Sequence, residues 1–79
     1  MLTERENILI ECLVKDYISK GNAISSDRLL EKTGLKYSTA TIRKDLIKLE
    51  SLGLVESTHV SSGRVPTVRG YRYYIDNNL

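Results

Sequence analysis

Helical spacing of apolar residues, an intervening glycine turn and a late change of period predict a mainly α-helical domain with one small β-hairpin. Apolar residues recur at helical spacing in three stretches before residue 52, and a turn containing glycine separates the second stretch from the third. The pattern afterwards alternates loosely, as in short strands. The 79 residues suit a single small domain. The predicted fold is a winged helix-turn-helix, with a three-helix core, a two-stranded wing and a C-terminal helix.

The first helix is predicted to begin at Glu4. Thr3 and Glu6 form the Thr-x-x-Glu pattern of a capping box, in which each side chain satisfies the other residue's amide. Ile8 and Cys12 lie off the main apolar face, and they are expected to contact the C-terminal segment or another chain, with Cys12 acting as a small buried hydrophobic residue. The residues that line the main face are Ile10, Leu13, Val14 and Tyr17.

The next two helices are predicted to form the helix-turn-helix, over about residues 26–52. Ser25 offers an N-cap for a helix of about two turns, and Gly34 follows where a left-handed residue is needed. After a short turn, Ser38 or Thr39 can cap the third helix, which Gly53 ends. Its buried stripe is predicted to be Ile42, Leu46 and Leu49.

The wing is predicted over about residues 54–66, with strands at 54–58 and 64–66. Pro66 has no amide proton, so its strand must end there or lie at an edge. Residues 59–63 are expected to form the turn, where Gly63 would supply a positive φ angle. The tip at residues 61–64 would then present backbone amides and the Arg64 guanidinium to a phosphate backbone or to the minor groove. A solvent-exposed loop is the alternative interpretation.

Thr67 is predicted to cap the last helix, over about residues 68–77. The helical spacing places two sets of residues on different sides. One set is expected to pack against the core: Tyr71, Tyr74 and Ile75. The other set is expected to meet a following domain or a second subunit, with nucleic acid as the alternative: Arg69, Arg72 and Tyr73.

The outer face of the third helix is short-chained at its start and positively charged further along. Short side chains near the N-terminus of a helix allow its backbone to approach base edges in the major groove. Thr41 could donate to a base or a phosphate, and Ala40 could contact a thymine methyl group. The Ser38 and Thr39 hydroxyls at the helix N-terminus suit a phosphate. The cations predicted to pair with phosphates are Arg43, Lys44 and Lys48, whose alternative role is to solvate an exposed face.

The complete set of predicted DNA-binding residues spans the turn, the third helix and the wing. It consists of Tyr37, Ser38, Thr39, Ala40, Thr41, Arg43, Lys44, Lys48, Ser62, Gly63 and Arg64.

Charge and residue types exclude several other classes of function. Residues 1–35 carry five basic and six acidic side chains, whereas residues 36–79 carry seven basic and four acidic ones. The second half therefore favours a phosphate-rich partner. The sequence has no glycine-rich phosphate loop and no cluster of catalytic side chains, so an enzyme is not expected. His59 lacks partners at metal-ligand spacing, and neither a metal nor another cofactor is expected.

Two stretches resemble known bacterial regulators. The first is similar to the recognition helix of several winged-helix repressor groups, including the DeoR type, and reads Ser38-x-x-Thr41-Ile42-Arg43-x-Asp45-Leu46-x-x-Leu49-Glu50-x-x-Gly53. The second resembles the HrcA family of heat-inducible repressors and reads Ser62-Gly63-Arg64-Val65-Pro66-Thr67-x-x-Gly70-Tyr71-Arg72-x-Tyr74-x-Asp76. The opening Leu2-Thr3-Glu4-Arg5 also resembles that family, so the resemblance covers nearly the whole chain.

The resemblance implies a repressor of chaperone operons that binds an inverted-repeat operator in double-stranded DNA. It also implies a homodimer formed through sequence beyond residue 79 and a chaperonin that maintains repressor activity. A cytoplasmic protein without membrane association is expected from the sequence itself, because it has a single cysteine, no apolar run of membrane-spanning length and an N-terminus without the layout of a signal peptide. Members of the family are longer, so the chain is expected to be an excised N-terminal domain or a short stand-alone relative. The alternatives are another DeoR-type regulator, a winged-helix protein–protein interaction module that never binds DNA, and a nonspecific nucleic-acid binder, including one of RNA.

Overall fold

The computed structural model describes residues 2–58 and 63–78. The described residues form four α-helices and one antiparallel hairpin, which confirms the predicted fold class and element order. The predictions for His59 and for Ser62 at the wing tip lie outside the described residues. The elements are α1 (Glu4–Lys20), α2 (Ser26–Thr33), α3 (Thr39–Ser51), β1 (Val55–Ser57), β2 (Arg64–Pro66) and α4 (Val68–Asn78).

Polar side chains cap the N-terminal ends of α1, α2 and α3. In the predicted capping box, the Glu6 amide donates to Thr3 Oγ1 at 3.1 Å and the Thr3 amide donates to Glu6 Oε1 at 2.8 Å. Ser25 caps α2, and Ser38 rather than Thr39 caps α3. Gly34 ends α2 with a φ angle of 69°, a left-handed conformation that glycine adopts without steric cost.

The core lies between α1, α2 and α3 and is closed by the start of the hairpin. The predicted stripe of α3 is fully buried, and so is most of the predicted stripe of α1, where Tyr17 is only partly covered. Leu9, which the sequence analysis left out of that stripe, is also fully buried. The buried apolar residues contributed by the other segments are Leu2, Ile24, Leu29, Leu54 and Val55.

The hairpin is attached to the helical core through both of its strands. Val55 pairs with Pro66 and Ser57 pairs with Arg64, so Pro66 is the last residue of β2, as its missing amide proton requires. On the other edge of β2, Arg64 and Ile24 exchange two backbone hydrogen bonds of 2.9 Å each. This bridge joins the base of the wing to the segment between α1 and α2.

The structure gives a packing reason for glycine at position 63. A Cβ atom there would lie 2.9 Å from Ala23 Cβ and 3.1 Å from the Ile24 amide nitrogen. Gly63 is accordingly buried. The sequence analysis expected glycine here because of a positive φ angle in the turn. The structure shows instead that the backbone at Gly63 approaches the backbone at Ala23 and Ile24 too closely for a side chain.

The helix α4 crosses α1 on a different face from the one predicted. Tyr71 and Tyr74 pack against the core as expected, and Tyr71 meets the Tyr17 ring edge-on at 6.4 Å between centroids. The prediction for Ile75 is wrong, since it is 48% exposed. The prediction for Tyr73 is also wrong, because it packs against the core and its hydroxyl donates to Asn7 Oδ1 at 2.6 Å.

Close packing at Gly70 accounts for the face of α4 that contacts the rest of the fold. It is the buried residue at the centre of the contact face, and a side chain there would overlap the backbone oxygen of Leu54. Thr67 holds the start of the helix in place, since its hydroxyl donates to the Gly53 oxygen at 2.6 Å and accepts the Gly70 amide at 3.0 Å. Because Gly70 allows the backbone of α4 to approach the backbone of Leu54, Tyr71 and Tyr73 lie on the two sides of this close contact.

Within residues 2–58 and 63–78, none of the helices has both the length and the apolar character needed to cross a membrane.

We expect Gly70→Ala to destabilise the fold by about 1–3 kcal/mol, because the added methyl group has to displace backbone atoms. Helix propensity alone would give the opposite sign, a stabilisation of up to about 1 kcal/mol. Urea unfolding followed by circular dichroism would measure the change. Val68→Ala, in the same helix and 76% exposed, is the matched control and should leave the stability equal or slightly raised. A stabilised Gly70→Ala variant would contradict this packing of α4.

Candidate nucleic-acid interface

The outer face of α3 carries the exposed cations that the sequence predicted there. Because Ile42, Leu46 and Leu49 are buried, the opposite side of the helix faces solvent. The exposed residues on that side include Ala40, Arg43, Lys44, Ile47 and Ser51. Among the described residues, neither Arg43 nor Lys44 takes part in an ion pair. This side of α3 therefore presents positive charge beside a short alanine side chain.

The first turn of α3 is organised by hydroxyl groups. The Thr41 amide donates to Ser38 Oγ at 3.2 Å, and the Ser38 and Thr41 hydroxyl oxygens lie 3.1 Å apart. Thr39 and Thr41 are half-buried, whereas Ser38 is exposed. The Thr41 hydroxyl is thus part of the N-cap network, and its predicted contact with a base stays a prediction. The amides of this turn provide the positive end of the helix dipole.

Lys48 forms an ion pair within the fold, and its predicted phosphate contact stays a prediction. Its ammonium lies 2.9 Å from Glu6 Oε2, and the Glu6 side chain is only 4% exposed. The Thr3 amide, together with Lys48, holds the pKa of Glu6 below its usual value. Lys48 therefore neutralises a buried carboxylate of α1, and the same carboxylate closes the capping box.

A second ion pair between α1 and α3 was missed by the sequence analysis. Arg5 Nε and Nη2 donate to the two carboxylate oxygens of Asp45 at 2.6 and 3.1 Å. Hydrogen bonding to Asp45 raises the pKa of Arg5 above its ordinary value. Asp45 is buried and shares the helix face of Ile42 and Leu49, at spacings of three and four residues. An acid within the apolar stripe of α3 was the signal that could have revealed this pair.

Tyr37 lies under the same arginine. The Arg5 guanidinium carbon is 4.5 Å from the centroid of the Tyr37 ring, which is cation–π geometry. Tyr37 is also 49% exposed, so its outer part faces solvent beside the start of α3. The structure thereby gives Tyr37 a positioning role in the turn, and its predicted DNA contact stays a prediction.

Arg64 is a structural residue, which corrects the prediction that it projects from the wing tip. Its side chain is 14% exposed and Arg64 Nε donates to Glu50 Oε1 at 3.2 Å. The Ser57 hydroxyl donates to the same carboxylate at 3.1 Å. Glu50 thus joins the end of α3 to both strands of the wing. The start of β2 at Arg64 was predicted, but the sequence does not show that the Glu50 carboxylate lies beside the Arg64 side chain.

In the described ranges, no group of three or more His, Cys, Asp or Glu side chains is arranged to hold a metal ion.

Comparisons with known proteins agree with this geometry. The family model of the DeoR-like helix-turn-helix domain matches residues 5–63. Over all 79 residues, the chain is 48% identical to a heat-inducible transcription repressor HrcA from Pediococcus pentosaceus, of which it covers 23%. A crystal structure of a protein described as hypothetical matches with a TM-score of 0.92 and 40% identity, over 98% of this chain and 24% of that one. The chain thus spans about a quarter of the length of these relatives.

We expect Lys48→Ala to lower the stability by about 1–2 kcal/mol, because it leaves the buried Glu6 carboxylate without its cation while Lys48 itself is half exposed. Lys44→Ala is the matched control on the same helix and should stay within about 0.5 kcal/mol of the wild type. Chemical unfolding at neutral pH would measure both variants. Equal stabilities of the two variants would contradict the anchoring role of Lys48.

The lowered pKa of Glu6 predicts acid sensitivity. The stabilisation by ionised Glu6 is complete above the ordinary pKa of 4.5 and is lost as the pH falls through the lowered folded-state pKa. We expect Glu6→Gln to be less stable than the wild type at neutral pH and to lose less stability on further acidification. Urea midpoints measured from neutral pH to about pH 3 would test this. Parallel pH profiles for both proteins would contradict it.

Proposed function

The chain belongs to the DeoR-like helix-turn-helix domain family and matches the N-terminal part of an HrcA repressor over its whole length, and from this premise we propose that it binds double-stranded DNA sequence-specifically. In this proposal α3 enters the major groove and the wing lies over the flanking backbone. The observation that carries the proposal is the exposed pair Arg43 and Lys44 beside Ala40, on a helix whose opposite face is buried.

The shape of α3 supports entry into the groove. The major groove of B-DNA is about 12 Å wide and admits one α-helix. Ala40 at the start of the helix keeps bulk away from base edges, so the backbone can approach closely. Ser38 and the first amides of α3 can hold a phosphate at the groove edge, because the helix dipole is positive at this end.

The cations of α3 divide into two groups with different roles. Arg43 and Lys44 are the proposed phosphate contacts, since both are exposed and unpaired within the described part of the chain. Lys48 and Arg64 are engaged with carboxylates and hold the binding surface in shape. For the wing, Gly63 and Ser62 stay candidate contacts, of which Ser62 lies outside the described residues. Thr39 and Thr41 stay candidate contacts of the first turn.

For the whole protein, we propose a bacterial heat-shock transcription repressor that acts in the cytoplasm. Two copies would occupy the two halves of an inverted repeat, and half-sites on one face of the duplex would be spaced by about one helical turn or a multiple of it. The homodimer and the regulatory chaperonin are the partners that the family resemblance implies. The function is binding and involves no chemical reaction.

The proposal predicts recovery of a defined site from a pool of random duplexes. On that site, Arg43→Ala and Lys44→Ala should each weaken binding and reduce the slope of log K against log salt by about 0.9, because each removes one phosphate contact. Fluorescence anisotropy titrations at several salt concentrations would measure the slopes.

Lys15→Ala is the matched control for these titrations, because Lys15 is exposed on α1 and pairs with Glu11 at 3.0 Å. Its salt slope should equal that of the wild type. Unchanged slopes for Arg43→Ala and Lys44→Ala would argue against this docking of α3. Failure to enrich any duplex would favour a protein–protein interaction module, and equal binding to all duplexes would indicate a nonspecific binder.

A further inference from the structure

Ile47 is an exposed apolar side chain on the cationic face of α3. It is 55% exposed and does not belong to the group of side chains that pack against the core. It follows Arg43 by four residues and Lys44 by three, so the three side chains are neighbours on one helix surface. A partner surface that packs against this part of α3 would therefore meet Ile47 together with the two cations.

Two other exposed isoleucines show what is particular about this position. Ile18 on α1 is 62% exposed and Ile75 on α4 is 48% exposed, and single exposed apolar residues of this kind are ordinary on protein surfaces. Ile47 differs in its surroundings, since it lies between the outermost ridge of α3 and the flank where Glu50 holds the wing. In the proposed docking, Ile47 would lie inside the groove beside the outermost ridge of α3.

We propose that Ile47 is a specificity-determining residue that contacts the C5 methyl group of a thymine in the major groove. The inference rests on the proposed DNA-binding function and adds one base preference to it. An isoleucine side chain has no hydrogen-bonding group, so it cannot read the donors and acceptors of the other bases. The thymine methyl group is the apolar feature that base pairs present in this groove, and each half-site should therefore carry a thymine opposite Ile47.

The test removes only the methyl group from the DNA. Each thymine of the site selected by the wild-type protein is replaced in turn by deoxyuridine, which keeps base pairing and every hydrogen-bonding group. For the wild type, one replacement per half-site should weaken binding about fourfold, the value expected for burial of one methyl-sized apolar group. Ile47→Ala should bind the unmodified site more weakly and should not respond to that same replacement. Ile47→Val, which keeps a branched apolar side chain, should keep part of the response.

Two controls separate the inference from its premise. Ile18→Ala is the matched variant, an exposed isoleucine outside α3, and it should show the full wild-type response to deoxyuridine. Ile47→Ala changes an exposed side chain, so its unfolding midpoint should match that of the wild type. A site without a methyl-sensitive thymine, or an Ile47→Ala variant with the wild-type response, would overturn this inference alone. A wild-type protein that selects no site would overturn the inference together with the proposed function.

Discussion

The structure depends on two ion pairs of opposite polarity between α1 and α3. Arg5 of α1 donates to Asp45 of α3, and Lys48 of α3 pairs with Glu6 of α1. Each pair includes a buried carboxylate, and a carboxylate in such a position is costly without its cation. The two directed contacts lie one turn apart on α3 and favour the orientation in which both carboxylates meet their cations. That orientation directs Arg43, Lys44 and Ile47 outward.

The wing is positioned by the same kind of contact. Glu50, near the C-terminal end of α3, accepts hydrogen bonds from Ser57 of β1 and Arg64 of β2, and the Ile24–Arg64 bridge connects β2 to the other side of the core. The recognition helix and the base of the wing therefore form one unit. Within this unit, Lys48 and Arg64 pair with carboxylates and stabilise the fold. Arg43 and Lys44 are exposed on α3 and form no ion pair among the described residues, so they are available to a phosphate backbone.

The helices, the hairpin and their order could be predicted because the signals for them are local. Helix caps, terminal glycines and apolar periodicity depend on residues a few positions apart. Ser38 caps α3 and Gly34 ends α2, as their positions in the sequence indicated. The surroundings of the candidate interface residues could be predicted only in part. Ala40, Arg43 and Lys44 lie where helical geometry places them, but Lys48 and Arg64 were interpreted as free cations because the sequence does not show that Glu6 and Glu50 lie beside them.

The sequence by itself determined which segments are helical and which face of α3 is cationic, since both depend on spacing along one chain. Only the tertiary structure decided which of those cations remain available, because neutralisation depends on residues that folding brings together from 42 positions apart, as with Glu6 and Lys48. The same holds for α4, where the fit of Gly70 against the Leu54 oxygen placed Tyr73 against the core and Ile75 in solvent. Contacts between distant backbones follow from how elements dock, and periodicity within one element carries no information about them.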